Sequence, residues 1–495
     1  MILKMLHMFL PRMNLVMFCM ALFFLCGCEA SFVPLFEYTE DNVFLFDAKG
    51  KIIKPSDYIP PEKRSSSDIK TEITERGEYK ISQNNFVYCG NPGDRVFPMY
   101  KNGDQLYLLT EKDSDYMQLM IWNRNLKKIL LYPHTNREAQ SIIIHKKLHG
   151  IQYAGDCFQQ DYFTCEFKNL DEKLRKHYRT ENLLWIEKSP DGKLWIAELF
   201  FREKPSLYVL CDMDIGEWRE LSKAIPYKPD LTQKKEVFRF IPGDGKEISG
   251  ILSFPPIRFG RRNLPLIVFP HGGPQTRSML IFDPRVELLT RNGFLVFQPN
   301  YRGSTGQGKK FRQSGWGAVG IRRALADIAE GTEALIQNGF ADPDRIAILG
   351  GSWGAYCAIE SAVLYPEIYH AVIAFFGPTD LVAMLQEFLP DSGANASLDR
   401  LQYGDVKDPV SVSALKNISP YYFTDRIQAP ILLYHYEQDQ VISFQQSLRF
   451  YERMKADGKN IVFIRGNGKH GFSTPDAEVA AYNQVIRFLK QVFHK

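Results

Sequence analysis

The stretch IAILGGSWGAYCAIESAV, residues 346–363, constrains the chain more than any other. An apolar, β-branched run stops at two glycines, presents one serine, and restarts at helical spacing up to the breaker Pro366. A short buried strand therefore leads through a tight bend into a helix. Gly350-Gly351-Ser352-Trp353-Gly354 fits G-x-S-x-G, the pattern that holds a serine on a strained strand-to-helix turn. Glycine is wanted on either side because the two backbones come too close for a Cβ. An ordinary Gly-Ser loop gives the same letters, so the rest of the chain must decide.

The surroundings favour the strained turn. From Glu236 onward apolar strands alternate with helical segments: LPLIVFPHGGP, GFLVFQPNYRG, the serine strand, HAVIAFFGPTD, APILLYHYEQD and NIVFIRGNGKHGF. Repeated β–α units with continuous apolar strands predict a mostly parallel sheet covered on both faces, with its chemistry at the carboxyl ends of the strands. Residues 29 to about 235 read differently, as short strands broken by Asn-Gly, Asp-Gly and Lys-Gly turns. Residues 100–132 and 183–221 share one strand–turn layout, which suggests propeller blades, although any antiparallel meander would give it. The polar, proline-rich stretch 55–68 is expected to be an exposed connection.

A chain of 495 residues is long for one domain, and 45% hydrophobic with 24% charged residues is ordinary for a globular protein. A net charge of +4 without a dense Lys/Arg block argues against nucleic acid as a partner and against a polybasic membrane patch. The amino terminus stands apart. Lys4 and Arg12 precede an apolar run from Leu15 to Leu25, of signal-peptide length, ending in Leu25-Cys26-Gly27-Cys28. That ending resembles a bacterial lipobox, which makes residues 1–27 a lipoprotein signal and Cys28 the lipidated first residue of an exported, membrane-anchored protein. A plain signal peptide and an uncleaved anchor are the alternatives.

Cys89, Cys157, Cys165, Cys211 and Cys357 then remain, a scattered set that forms no disulfide framework, although one bridge between Cys157 and Cys165 is compatible with export. Cys357 is expected to pack in a core. No CxxC pair or H-E-x-x-H signature suggests a metal, and no cofactor is implied. The segment GSTGQGKK, 303–310, resembles a phosphate-binding loop but has Lys310 where Ser or Thr is required.

The polar residues at strand ends come in the order Ser352, Asp439, His470, the chain order of α/β-hydrolase triads. A serine hydroxyl is a poor nucleophile alone; it needs a neutral imidazole as base and a carboxylate that fixes the ring's tautomer. Among 10 histidines, His470 lies in a loop after the last strand, where the base belongs, whereas His435 at a strand end reads as structural. Asp380, at the end of an earlier strand, rivals Asp439 as the acid. Gly273, in FPHGGPQ, and Trp353 would supply the two backbone N–H groups of an oxyanion hole, with His271 shaping that loop. Phe375 and Phe376 are candidates for an apolar substrate pocket, or for plain core.

Five segments, HGGP, NYRGSTGQGKKF, GFADPDRIAILGGSWGAY, DRIQAPILLYHYEQD…FQQS and GKHGF, resemble in order and spacing the prolyl oligopeptidase family of serine peptidases, most closely its acylaminoacyl-peptidase-like branch. The likeness covers 236–495. It implies Ser352 as nucleophile, Asp439 as acid and His470 as base, with oligopeptides as substrates and a propeller ahead of the catalytic domain. Trp353 and Ala355 stand where the family often has Tyr and Gly, Tyr436 replaces the usual glycine after His435, and Gln440-Val441 replaces the usual residues after the acid. About 200 residues cannot hold seven blades of about 40 each. The expected architecture is a shortened, β-rich, propeller-like domain (28–235) before an α/β-hydrolase domain (236–495). The same triad also serves esterases of small acyl esters, and a surface binding protein with a relic hydrolase domain is the reading from another class. The oligomeric state is not legible.

Overall fold

A computed structural model describes residues 93–221 (apart from 103–104, 124–127 and 132–136), 233–388 and 399–493, with short strand segments between 45 and 89. Cys28 and the segment 1–27 lie outside the described residues. The chain forms two compact units, the first holding the β-rich half together with Gly306–Lys309, the second holding the rest of the carboxyl-terminal half.

The first unit is a series of antiparallel meanders, each built from strands adjacent in sequence. Four-stranded sheets span Val96–Leu131 and Asn182–Glu220, and three-stranded sheets span Lys70–Cys89 and Glu138–Tyr162. One element departs from the all-strand reading: Cys165–Tyr178 is a helix. Phe167, Leu170 and Leu174 recur on one of its faces, all buried, and the Phe167 ring meets Trp185 and Trp195 edge-on at 5.1 and 4.8 Å. Cys157 and Cys165 are free thiols, so the bridge entertained between them does not form. The phosphate-loop lookalike does cradle an anion, and the anion is the protein's own. Glu138 accepts the Gly306 N–H at 2.6 Å, while Lys309 reaches Asp94 at 2.8 Å.

The second unit is built on an eight-stranded sheet. Its strands are β1 (Lys234–Phe240), β2 (Ile248–Phe254), β3 (Leu264–Val268), β4 (Leu295–Asn300), β5 (Ala341–Gly351), β6 (Ala371–Phe375), β7 (Ile431–Tyr436) and β8 (Ile461–Gly466). The order is β1-β2-β4-β3-β5-β6-β7-β8; β1 and β2 are antiparallel to their neighbours and all later pairs are parallel. β1 begins at Lys234, two residues ahead of the boundary read from sequence. β5 is longer than its apolar run, because Asp342-Pro343-Asp344, read as a turn, continues extended through a register shift opposite β3.

The strands are apolar throughout because both faces are covered. Along β3, β5, β6 and β7 successive side chains go alternately to two cores. Leu266, Ile348, Val372 and Leu433 join one core, and Ile267, Leu349, Ile373 and Leu432 the other. The first core is closed by α2 (Gly317–Gln337), α3 (Trp353–Leu364), α4 (Leu381–Phe388) and α5 (Phe444–Ala456); the second by α1 (Pro284–Arg291) and α6 (Pro475–Phe493). Each buried Leu or Ile stabilises the sheet by about 2 kcal/mol, so the strand ends that carry polar residues are held by a rigid base. Cys357 packs in the first core, as expected, and burial raises its thiol's pKa.

Candidate active site

Ser352 occupies the bend between β5 and α3 with φ 54° and ψ −124°, a conformation that L-residues avoid and that costs about 1–3 kcal/mol. Its N–H donates to the Phe375 carbonyl at the end of β6 (2.8 Å), and its C=O accepts from Ala355 N–H (3.0 Å). The side chain caps no helix N–H, so the hydroxyl is left for other work. The flanking glycines are needed for close approach. A Cβ on Gly350 would stand 2.2 Å from the Gly354 carbonyl, and one on Gly354 would stand 2.3 Å from the Pro270 carbonyl. Gly351 is under no such demand, its nearest neighbours lying at 3.9 Å. Gly377, which sequence reasoning missed, is as constrained: its Cβ would meet that of Ala355 at 2.5 Å.

The loop after β3 borders the serine. A Cβ on Gly272 would be 3.5 Å from Ser352 Cβ, and Gly273 has φ +121°, open to glycine. Neither the Gly273 nor the Trp353 N–H has a backbone partner among the described residues. Trp353 is the first residue of α3, where helix N–H groups are unsatisfied by the helix itself. His271 shapes this loop. Its ring stacks on Tyr301 at 4.5 Å, with Nε2 2.8 Å from Ser304 Oγ and Nδ1 2.9 Å from Thr276 Oγ1, and Tyr301 Oη donates to the His271 carbonyl at 2.8 Å. Burial lowers the His271 pKa to about 4, so the ring is neutral near pH 7 and both its nitrogens are engaged.

Asp439 and His470 meet. Asp439 follows β7 and His470 follows β8, and because these strands are adjacent and parallel both residues emerge at the same edge. His470 Nδ1 lies 2.7 Å from Asp439 Oδ2. Asp439 Oδ1 accepts the Val441 and Ile442 N–H groups at 2.8 and 2.9 Å. Burial alone would raise the Asp439 pKa, but the hydrogen bonds from His435 and His470 outweigh it and hold the carboxyl well below the usual carboxylate range. Asp380 is elsewhere engaged: its Oδ1 accepts from Val382 and Ala383 N–H at the start of α4, and its Oδ2 from Tyr422 Oη at 3.0 Å.

Among the described residues no hydrogen bond joins Ser352 Oγ to His470. Both flank the tip of β6: Phe375 binds the serine's amide, and the Phe376 ring lies 6.1 Å from the imidazole. Unliganded sites commonly leave that bond long and close it around substrate. Phe375 is 3% exposed and packs among Tyr434, Phe472 and Tyr482, in the core beneath the site. Phe376, 4% exposed at φ 55°, borders the imidazole. His435, read as structural, also touches Asp439, at 3.2 Å.

Strand order, a serine on a strained bend and an Asp–His pair at the same sheet edge define the class, an α/β-hydrolase fold with the layout of a serine hydrolase site. Residues 281–495 match the model of the prolyl oligopeptidase family. The chain is 28% identical over 228 residues to dipeptidyl peptidase family member 6 of Caenorhabditis elegans, covering 46% of this chain and 31% of that protein. It is 26% identical over 285 residues to the acylamino-acid-releasing enzyme of Sus scrofa, covering 55% and 38%. The chain thus spans about a third of each of these relatives' lengths. Among solved structures it superposes on a Mycobacterium tuberculosis puromycin-hydrolyzing peptidase with a TM-score of 0.71 at 19% identity, covering 85% of this chain and 66% of that one. For the Pyrococcus horikoshii acylaminoacyl peptidase the values are 0.65, 20%, 84% and 66%. At such identities the likeness is one of fold.

Proposed function

We propose that this chain is a serine peptidase that hydrolyses peptide bonds of oligopeptides through an acyl-enzyme. The observation that carries the reading is the Asp439–His470 pair at 2.7 Å, on the sheet edge where Ser352 is held in its strained bend. Asp439 fixes the His470 proton on Nδ1, leaving the Nε2 lone pair for the serine. Ser352 Oγ then adds to the scissile carbonyl as its proton passes to Nε2. The oxyanion is received by the Gly273 and Trp353 N–H groups. The imidazolium, stabilised by the Asp439 carboxylate, gives its proton to the departing amine. Water, activated by the same imidazole, resolves the acyl-enzyme. Phe376, beside His470, supplies one apolar wall of the substrate site.

A fluorophosphonate probe should label Ser352, and Ser352→Ala should fold normally yet lower kcat by roughly 10⁴ to 10⁶. Labelling that survives this substitution sinks the assignment. Comparing kcat/KM on peptide anilides and matched esters separates a peptidase from an esterase; a folded protein that neither labels nor turns over is a binding protein. On its sequence motif we further infer that Cys28 is the lipidated first residue of an exported protein. A mature amino terminus beginning elsewhere, found by mass spectrometry, refutes it.

A further inference from the structure

Asp439 carries a second imidazole. His435, completely buried near the end of β7, places Nε2 3.2 Å from Asp439 Oδ2 and 3.0 Å from the Ile442 carbonyl, with Nδ1 2.7 Å from Ser447 Oγ of α5. A carboxylate and a carbonyl can only accept, so Nε2 must bear a hydrogen. Asp439 Oδ2 is therefore shared by two imidazole N–H groups, while Oδ1 takes two backbone N–H groups.

The surroundings leave little else to set this carboxylate's basicity. From β7 it faces His435, and from the loop after β8 it faces His470. Helix α5 offers the uncharged Ser447 and the Phe444 ring, 5.8 Å from His435, and the tip of β6 offers Phe376, 6.1 Å from each imidazole. Tyr436 packs on Phe376, and Glu437 and Lys469 are exposed.

We propose that His435 is a positioning residue for the catalytic carboxylate: it fixes the Asp439 rotamer and draws charge from Oδ2, and so tunes the basicity of His470. The inference rests on the Ser352–His470–Asp439 reading above. Each donor to a carboxylate stabilises its charge and weakens its pull on the other donors. With His435 removed, Asp439 becomes the stronger partner of the His470 imidazolium. His470 then holds its extra proton to higher pH and loses its function as a base there. A merely structural His435 would change how much protein folds and leave that titration in place.

The test is the rate at which a fluorophosphonate labels Ser352 between pH 5 and 9, measured on the full chain, on His435→Phe and on His435→Gln. Phenylalanine keeps the volume without a donor. Glutamine keeps an N–H near the Nε2 position and a carbonyl for Ser447. The wild type should show an acid limb; His435→Phe should move it upward by about half a unit to one unit, labelling up to about tenfold more slowly on that limb. His435→Gln should bring it back. A His435→Phe limb at the wild-type pH, or a His435→Gln limb displaced as far as that of His435→Phe, overturns the proposal. Should His435→Phe fail to fold, ¹⁵N-histidine spectra of the wild type decide the matter: His435 Nε2 without a hydrogen overturns it. Failure of the underlying triad looks different, because the wild type would then label with no acid limb, or His470→Ala would label as fast as the wild type.

Discussion

Asp439→Asn tests the site at its most determined atom. Asp439 Oδ1 accepts the Val441 and Ile442 backbone N–H groups at 2.8 and 2.9 Å, which cannot shift their hydrogens as an imidazole can, so an asparagine in its place keeps its carbonyl oxygen there. Its NH₂ then falls where Oδ2 was, 2.7 Å from His470 Nδ1. Two N–H groups cannot face each other at that distance, so His470 moves its hydrogen to Nε2 and presents a donor where Ser352 requires an acceptor. A triad frozen in the wrong tautomer loses about 10⁴ in kcat, which at about 1.4 kcal/mol per decade is about 5.5 kcal/mol of transition-state stabilisation. The assay is kcat on a peptide anilide near pH 8, with the fluorophosphonate labelling rate alongside and circular dichroism to establish the fold. The substitution also removes a carboxyl whose pKa is depressed in the folded state. Its contribution to stability is present above the unfolded value, about 3.9, and is lost as the pH falls through the folded one. The stability difference between wild type and variant should therefore shrink in acid. A folded variant that keeps more than a tenth of wild-type kcat refutes the reasoning.

The glycines of the serine bend separate in the same way. Gly354→Ala drives a Cβ into the Pro270 carbonyl and should abolish labelling or folding, whereas Gly351→Ala meets nothing closer than 3.9 Å and should label at near the wild-type rate. Equal behaviour of the two would remove the close-approach account. Glu360, in α3, is buried with neither carboxylate oxygen hydrogen-bonded among the described residues, and burial raises its pKa to about 8, against the pull of Arg322 and Arg426. The folded protein keeps a proton there that the unfolded chain releases near pH 4.3, so stability is full below that value and falls as the pH rises through about 8. Glu360→Gln should raise Tm more at pH 8.5 than at pH 5; a gain independent of pH would contradict this.

The sequence by itself determined whatever is written in local pattern. Apolar runs gave the strands, since alternate residues of β3, β5, β6 and β7 fill two cores and leave no polar face. Gly350, Ser352 and Gly354 gave the strained bend as a five-residue pattern, although the contact that demands glycine at 354 is with the Pro270 carbonyl, in the loop after β3. The helix Cys165–Tyr178 and the capping role of Asp380 were also legible, the one in the spacing of Phe167, Leu170 and Leu174, the other in an Asp just ahead of a helical run, but each was overlooked beside a stronger neighbouring signal. Tertiary structure decided the pairings. Which carboxylate meets His470 depends on β7 lying beside β8, and that adjacency is a property of the whole sheet. Phe375 went to the core because Tyr434 and Tyr482 converge on it from distant segments. His435 reached Asp439 only because the chain turns back after β7 to start α5, closing Ser447, His435 and the carboxylate into one chain of hydrogen bonds. Apart from the His435–Asp439 pair, which is four residues apart, such contacts join residues from separate elements, and no short-range spacing encodes them until the core has fixed where each strand ends.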